Sequence, residues 1–419
     1  MKLSVVASFV CLLAQTTAFQ QVSNPNPIPH HPEQPSGKAS LFKGESVVLT
    51  GSTGFVGLRT LKTLLVHTDA ETIILPVRVE EQTRTAAAAR FASVLEKYGE
   101  GLDIDPSDPT LCFVPMKGGD KPRDDVYVEG ISKAPAAIRE KCSTILHVAS
   151  ETDWDIPVDV LIDTNLKPSL GLLKGATNVL PNVDSFLYCS TAYADSLTKI
   201  PERPVPEGPL APISDSTNKY FSNYGQVKAM TEDAIHACAC SDEIKISRVS
   251  IARPGAVAPS IGHDNAPLGW HTNNKSYAAL LKLLSPSGIF GQMINPIPVQ
   301  ADIDTGIIPV DYVANMIVLA GGNPSIPHFK DRSKNGPFYL NMCVPSELEV
   351  KSTDVARYFG KDTAKDIVEY REAVADVLSR AENNPRFNKK RLRLLKLSSK
   401  IGDMFAPLLF GDWKWDTSK

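Results

Sequence analysis

Ser46-Val-Val-Leu-Thr50, followed without a break by Gly51-Ser-Thr-Gly54-Phe-Val-Gly57, reads as a buried strand, a tight turn and the start of a helix. Glycines let a backbone turn sharply and come close to a ligand, and the free N–H groups and dipole of a helix start attract negative charge. Leu58, Leu61, Leu64 and Leu65 continue at helical spacing, and a second apolar run, Ile73-Ile-Leu-Pro-Val77, follows one crossover later. In that context the glycines form the phosphate-holding turn of a dinucleotide-binding unit.

Working outward, short apolar runs alternate with helical segments as far as residue 260. The pattern predicts strands at Ser46 to Thr50, Ile73 to Val77, Leu111 to Val114, Thr144 to Val148, Phe186 to Cys189 and Ile246 to Ile251. This is the pattern of an α/β protein: a Rossmann-like, doubly wound parallel sheet with helices on both faces. Ligands of such sheets sit beyond the carboxyl ends of the strands. The fourth run leads into His147-Val-Ala-Ser150, so Ala149 is expected along the cofactor, with Asn165 on the next helix anchoring that site.

The end of the second strand discriminates between nicotinamide cofactors. A carboxylate there grips a ribose 2′-hydroxyl, whereas a guanidinium matches a 2′-phosphate. The residue is Arg78, with Arg84 as a helper, which favours NADPH; Glu80 and Glu81 keep NAD(H) open.

Two segments carry the chemistry. The fifth strand ends in Tyr188-Cys-Ser-Thr-Ala192, and a later helix presents Tyr224 and Lys228 four residues apart, on one face. Hydride delivered to a carbonyl carbon leaves negative charge on its oxygen, which needs a proton donor and a second hydrogen-bond donor. A free tyrosine is a weak acid at neutral pH, and a neighbouring ammonium favours its phenolate. Tyr224, Lys228 and the Thr191 hydroxyl therefore form a candidate catalytic set, with Ser190 as an alternative hydroxyl.

The order of glycine loop, Ser/Thr-ended strand, Tyr-Lys helix and Arg253-Pro-Gly255 resembles the extended short-chain dehydrogenase/reductase superfamily over residues 44–345. Within it the chain is most similar to fatty acyl-CoA reductases and thioester reductase domains. The likeness runs through Val56-Gly57, Pro76-Val-Arg78, His147-Val-Ala149, Asn165, Leu187-Tyr-Cys-Ser-Thr-Ala-Tyr193, Arg253-Pro254, Pro267-Leu-Gly-Trp270 and Ile308-Pro-Val-Asp-Tyr-Val313. Leu268 is a departure, since Pro-Gly-Trp is the family form. The resemblance implies Thr191, Tyr224 and Lys228 as catalytic residues. It implies a cofactor site of Gly51, Thr53, Gly54, Phe55, Val56, Gly57, Arg78, Ala149, Asn165, Tyr224, Lys228 and Pro254. The implied reaction is NADPH-dependent reduction of a fatty acyl thioester, on CoA or a carrier, to an aldehyde and then a primary alcohol. The competing readings are another extended reductase or epimerase acting on a sugar nucleotide, sterol or small ketone, and a non-catalytic dinucleotide-binding scaffold.

Composition bounds the alternatives. The 419 residues are 42% hydrophobic and 22% charged, enough for a large core, and a net charge of −3 gives no footprint for nucleic acid. Seven cysteines lack a CxxC pair and eight histidines lack metal-ligand spacing, so neither a disulfide framework nor a metal is implied.

Residues 1–18 read as a signal peptide, a charged start followed by a short apolar segment and small residues. Residues 19–43 read as a flexible leader, with five prolines between Phe19 and Gly37. The pair resembles the two-part plastid leaders of algae with secondary plastids, so a plastid and the secretory route or ER are both expected destinations. Residues 44–345 form the NAD(P)-binding reductase domain, its substrate region mainly at 255–345. There Trp270, Tyr277, Leu280, Leu281, Ile289, Phe290 and Met293 serve either as an apolar wall or as core. Pro201 to Pro212 forms a stiff loop ahead of the catalytic helix, and Asn274-Lys-Ser276 is a glycosylation triplet. The resemblance to acyl-CoA reductases leads to the expectation that residues 346–419 make a shortened C-terminal region with a short helical tail. Its Arg386 to Lys400 segment carries seven basic residues and could lie on an anionic membrane surface, meet CoA phosphates or face solvent. Phe405 to Phe410, Trp413 and Trp415 extend this candidate membrane contact, and Phe410 to Asp416 resembles an aromatic-acidic segment of acyl-CoA reductases.

Overall fold

A computed structural model of the chain describes residues 41–118, 124–153, 156–195, 205–210, 220, 222–241, 243–262, 266–267, 269–272, 297–300, 306–322, 336–343, 363–364, 367–384, 392 and 396. The expected signal peptide, residues 19–40 of the expected leader, the glycosylation triplet, Leu268, the wall candidates from Tyr277 to Met293 and the aromatic end lie outside these residues. So do most of the basic tail and both flanks of the proline-rich loop. The last residues assigned to the flexible leader, by contrast, belong to the fold: Phe42 is fully buried in the core and Lys43 bridges to Ala70.

The chain runs from β1 (Ser46–Thr50) through α1 (Phe55–His67), β2 (Thr72–Val79), α2 (Arg84–Tyr98), β3 (Leu111–Lys117), α3 (Val126–Ser132) and α4 (Ala136–Glu140) to β4 (Cys142–His147). It continues through α5 (Val158–Leu161), a π-helical turn (Ile162–Leu166) and α6 (Lys167–Val179) to β5 (Ser185–Cys189), then α7 (Asn223–Ala239) and β6 (Arg248–Pro254). After them come β7 (Ala256–Ala258), β8 (Ile297–Gln300), β9 (Ile307–Pro309), α8 (Val310–Gly322), β10 (Phe338–Met342), β11 (Thr363–Ala364) and α9 (Ile367–Glu382).

Seven strands form one sheet in the order β3-β2-β1-β4-β5-β6-β10, and every neighbouring pair is parallel. The chain builds outward from β1 to β3, then returns to start again at β4. Thr50 and His147, register partners at the carboxyl ends of β1 and β4, therefore flank the point where the winding reverses, which opens the crevice that binds ligands in such sheets.

Both faces are covered, which is why the strands are continuous apolar runs. Val47, Leu49, Ile73 and Leu75 pack with Leu58, Leu61 and Leu64 of α1 and with Val313 and Ile317 of α8. Val48, Ile74, Ile145 and Phe186 pack on the other side with Ile131, Leu172 and Ile235. The Thr83 hydroxyl caps α2 by accepting the Ala86 N–H, and the Ser222 hydroxyl caps α7 by accepting the Gly225 N–H.

All six expected strands are present, with ends shifted by a few residues. The seventh, β10, is an addition, and it changes the expected division at residue 255. Val310–Gly322 and Phe338–Met342, assigned by sequence to the substrate side, belong to the helix layer and sheet of the dinucleotide fold.

Candidate active site

Gly51 sits at φ +75°, and a Cβ there would stand 2.7 Å from the Ala149 nitrogen; a Cβ on Gly57 would stand 2.0 Å from the Gly51 carbonyl oxygen. The loop is thus pressed onto the end of β4 and onto its own helix, closeness that only glycine permits at these two positions. Helix α1 begins at Gly54 with no side-chain cap and no acidic residue in its first turn. Helical geometry gives the N–H groups of Phe55, Val56 and Gly57 no partner within the helix. The Ser52 hydroxyl is buried with no partner among the described residues. Unused donors around a positive helix end fit a pyrophosphate, with Thr53 in the same turn. Gly57→Ala is expected to cost about 1–3 kcal/mol of stability through overpacking and to remove dinucleotide binding, read by thermal melting and calorimetry. Normal binding by this variant would show that the close approach is dispensable.

The end of β4 is held by hydrogen bonds whose direction can be assigned. The Ser169 hydroxyl donates to the Asn165 carbonyl, so it accepts from His147 Nε2 at 2.8 Å; His147 Nδ1 then accepts from the Thr50 hydroxyl at 2.8 Å, and Thr50 accepts the Ala149 N–H at 3.2 Å. Burial, reinforced by the Lys228 charge, pushes the His147 pKa down to about 3, so the ring is neutral. Asn165 Oδ1 accepts the Glu151 N–H at 2.8 Å, and Nδ2 donates to the Glu151 carbonyl at 2.9 Å. Asn165 thus clamps the loop after β4, and its place in the π-helical turn is a position where helices often carry function.

Arg78 is exposed at the end of β2, its guanidinium beside the Tyr127 hydroxyl. It opens on a cleft of about 360 Å³ shared with Val79, Glu80, Glu81, Ala86, Arg90 and Gly118. Arg84, the expected helper, instead donates to the Phe113 carbonyl at 3.3 Å and contacts the Cys112 sulfur at 3.4 Å. Arg90 of α2, and not Arg84, lines the cleft with Arg78. Arg90 was not singled out in the sequence because it lies well inside α2, and its i+6 offset puts it on a different side of the helix from Arg84.

Lys228 is buried, donates to the Cys189 carbonyl at 2.8 Å and stands 4.6 Å from the centre of the Tyr188 ring and 5.7 Å from that of Tyr224. Burial lowers its pKa to about 8, against the raising influence of Cys189 and Glu232, so the ammonium persists at neutral pH. The expected lowering of the Tyr224 phenol is reversed. Burial pushes it up, with Cys189 and Glu151 adding to the rise and a hydrogen bond to Ser150 opposing it. Desolvation of the phenolate outweighs the ammonium beyond the ring. Thr191 lies at the end of β5, its oxygen accepting the Tyr193 N–H at 3.3 Å. The neighbouring Ser190 hydroxyl is buried without a partner among the described residues.

Beyond these, at the carboxyl end of β6, Arg253 is fully buried beside Pro254. Its guanidinium contacts both Glu232 oxygens of α7, at 2.6 Å for the shortest, and donates to the Pro206 and Gly208 carbonyls at 2.8 and 2.9 Å. It also lies 4.7 Å from the centre of the Tyr339 ring. Asn341 of β10 binds the same segment, its N–H donating to Glu207 and its side-chain amide to the Val205 carbonyl. The described part of the proline-rich loop is thereby fixed to β6 and β10.

Comparison with known proteins agrees with this architecture. Human fatty acyl-CoA reductase 2 is 22% identical over 310 residues, covering 68% of this chain and 55% of that protein. A Drosophila melanogaster protein named as a fatty acyl-CoA reductase is 23% identical over 310 residues, covering 67% and 55%. The chain thus spans about half the length of these relatives. The terminal R domain of the myxalamid PKS-NRPS pathway superposes with a TM-score of 0.64 at 20% identity, over 91% of this chain and 86% of that one. A thiolation-reductase di-domain from an archaeal non-ribosomal peptide synthetase gives 0.58 at 16% identity, over 91% and 73%. Residues 49–317, from the end of β1 into α8, match the profile of the NAD-binding family described as male sterility protein (NAD_binding_4). The chain belongs to that family.

Proposed function

We propose that the chain is an NADPH-dependent reductase of acyl thioesters, with fatty acyl-CoA as the favoured substrate class. The observation that carries this reading is the Lys228 ammonium of α7 bound to the Cys189 carbonyl at the carboxyl end of β5, just ahead of Thr191, and 5.7 Å from the centre of the Tyr224 ring, on a frame that also presses Ala149 against the glycine loop. The names of the relatives support a thioester substrate, on CoA or on a carrier.

Bound at the glycine loop, the nicotinamide cofactor supplies a hydride. Thr191 and Tyr224 donate hydrogen bonds to the carbonyl oxygen and hold the negative charge that develops as the carbon gains that hydride. The carbon–sulfur bond then breaks, the thiol leaves with a proton, and an aldehyde remains. In a second round Tyr224 passes its proton to the alkoxide, giving a primary alcohol, while the Lys228 ammonium stabilises the resulting tyrosinate. Each round uses one hydride and one proton. Incubating the purified protein with long-chain acyl-CoA and NADPH, and identifying the lipid product, tests the reading. Tight NADPH binding with no aldehyde or alcohol from CoA or carrier thioesters would overturn it.

Arg78 and Arg90 place two positive charges on one cleft, which fits a 2′-phosphate better than Glu80 and Glu81 fit a free ribose. Arg78→Ala is expected to weaken NADPH binding about tenfold or more, the loss of a charge-assisted hydrogen bond, and to leave NADH binding unchanged. Titration with both cofactors checks this; equal losses for both would place Arg78 outside cofactor discrimination.

A further inference from the structure

The first described residues of the substrate side are fastened to the cofactor helix at two points one turn apart. At the first, the Phe55 ring, in the opening turn of α1, lies 5.5 Å from the Trp270 ring. At the second, Arg59, one turn later, makes a fully buried ion pair with Asp311 at 3.0 Å. Asp311 in turn accepts the Ser260 hydroxyl at 2.9 Å and the Ile261 N–H at 2.8 Å. Ser260 and Trp270 are tied to each other, the Ser260 N–H donating to the Trp270 carbonyl. The circuit Phe55, Arg59, Asp311, Ser260, Trp270 is therefore closed. Trp270 has a third tether, its indole N–H donating to the Tyr98 carbonyl at 2.7 Å. An indole suits this place, since its ring fills an apolar gap and its single donor finds an acceptor at the edge.

We propose that Trp270 is a positioning residue that couples cofactor occupancy of the glycine loop to the order of the residues it is tied to at the opening of the substrate side, Ser260 and Ile261. The proposal rests on the dinucleotide half of the reading above and adds a route by which one ligand prepares the site for the other. Phe55 belongs to the turn whose free N–H groups face the pyrophosphate, so a ligand that stills this turn stills the Phe55 ring and the indole packed on it. An acyl group arriving at an ordered segment meets a smaller entropic cost, which is positive coupling without a change of fold.

Hydrogen exchange of the purified protein, with and without NADPH, reads this directly. In the wild type, NADPH is expected to slow exchange in peptides containing Ser260 and Trp270 as well as in the glycine loop. Trp270→Leu is expected to keep protection of the loop, lose it at Ser260, and raise the KM for acyl-CoA about fivefold or more, with a much smaller change in NADPH affinity. Trp270→Phe, which retains a ring for Phe55, is expected to restore part of both. Phe55→Leu tests the other side of the contact if Trp270→Leu fails to fold, and is expected to lose the same protection. NADPH protection confined to the glycine loop in the wild type would overturn the proposal, as would undiminished protection at Ser260 in the leucine variants. A wild type that shows the protection yet reduces no thioester or aldehyde upholds the coupling and overturns only the reductase reading.

Discussion

Tyr224→Phe is expected to lower kcat for thioester and aldehyde reduction by about a hundredfold to ten-thousandfold, the usual worth of a positioned proton donor. NADPH affinity is expected to change by no more than about tenfold, the worth of a single hydrogen bond. The asymmetry follows from the chemistry assigned to the phenol, which supplies a proton to an oxygen that becomes negative only as hydride arrives. The Lys228 ammonium, with its pKa lowered to about 8, sets the accompanying pH dependence. Below that value the cation is present and the tyrosinate left after proton transfer is stabilised; as pH rises through it the charge is lost, so kcat is expected to fall on the alkaline side with a midpoint near 8. Steady-state kinetics of both proteins across that range check the two statements together. A phenylalanine variant that keeps wild-type turnover would remove Tyr224 as the acid.

The second large effect concerns folding. Arg253→Leu leaves the Glu232 carboxylate buried without its cation and strips the Pro206 and Gly208 carbonyls of their donor. Breaking a buried pair from one side costs about 3–5 kcal/mol, which in a domain of this size corresponds to a melting temperature lower by on the order of 10 °C. Removing both charges, as in Arg253→Leu with Glu232→Leu, is expected to recover part of the loss, because the uncompensated charge is gone. Thermal unfolding of the two variants decides it. A melting temperature within a degree or two of wild type would mean that the proline-rich segment and α7 are held by other contacts.

The sequence showed most of the central sheet because parallel strands buried on both faces are uninterrupted apolar runs, such as Val47-Val-Leu49 and Ile73-Ile-Leu75. The strand it did not show, Phe338-Tyr-Leu-Asn-Met342, lies at the sheet edge and carries a polar Asn341. It is also separated from its partner β6 by a long excursion through three short strands and α8. Nothing local in such a run says which sheet it joins. The glycine loop and the Tyr224 and Lys228 pair were visible because their spacing is set by one turn or one helix. The Thr50, His147 and Ser169 contacts were not, since their partners lie 97 and 22 residues apart and meet only when β1, β4 and α6 are assembled. The direction of the Tyr224 shift was misjudged for a related reason: helical spacing revealed the cation but not the depth at which the phenol is buried.

The assigned direction of the hydrogen bonds through His147 bears on how kinetic titrations of this protein are interpreted. A second ring proton would point a donor at the Thr50 hydroxyl, which would have to rotate away while still receiving the Ala149 N–H. With the ring pKa near 3, that conflict arises only in strong acid. Across the range in which an enzyme assay is run, His147 and the strand end it orients form a silent background, so an inflection in rate near neutral pH is to be sought in groups other than this histidine.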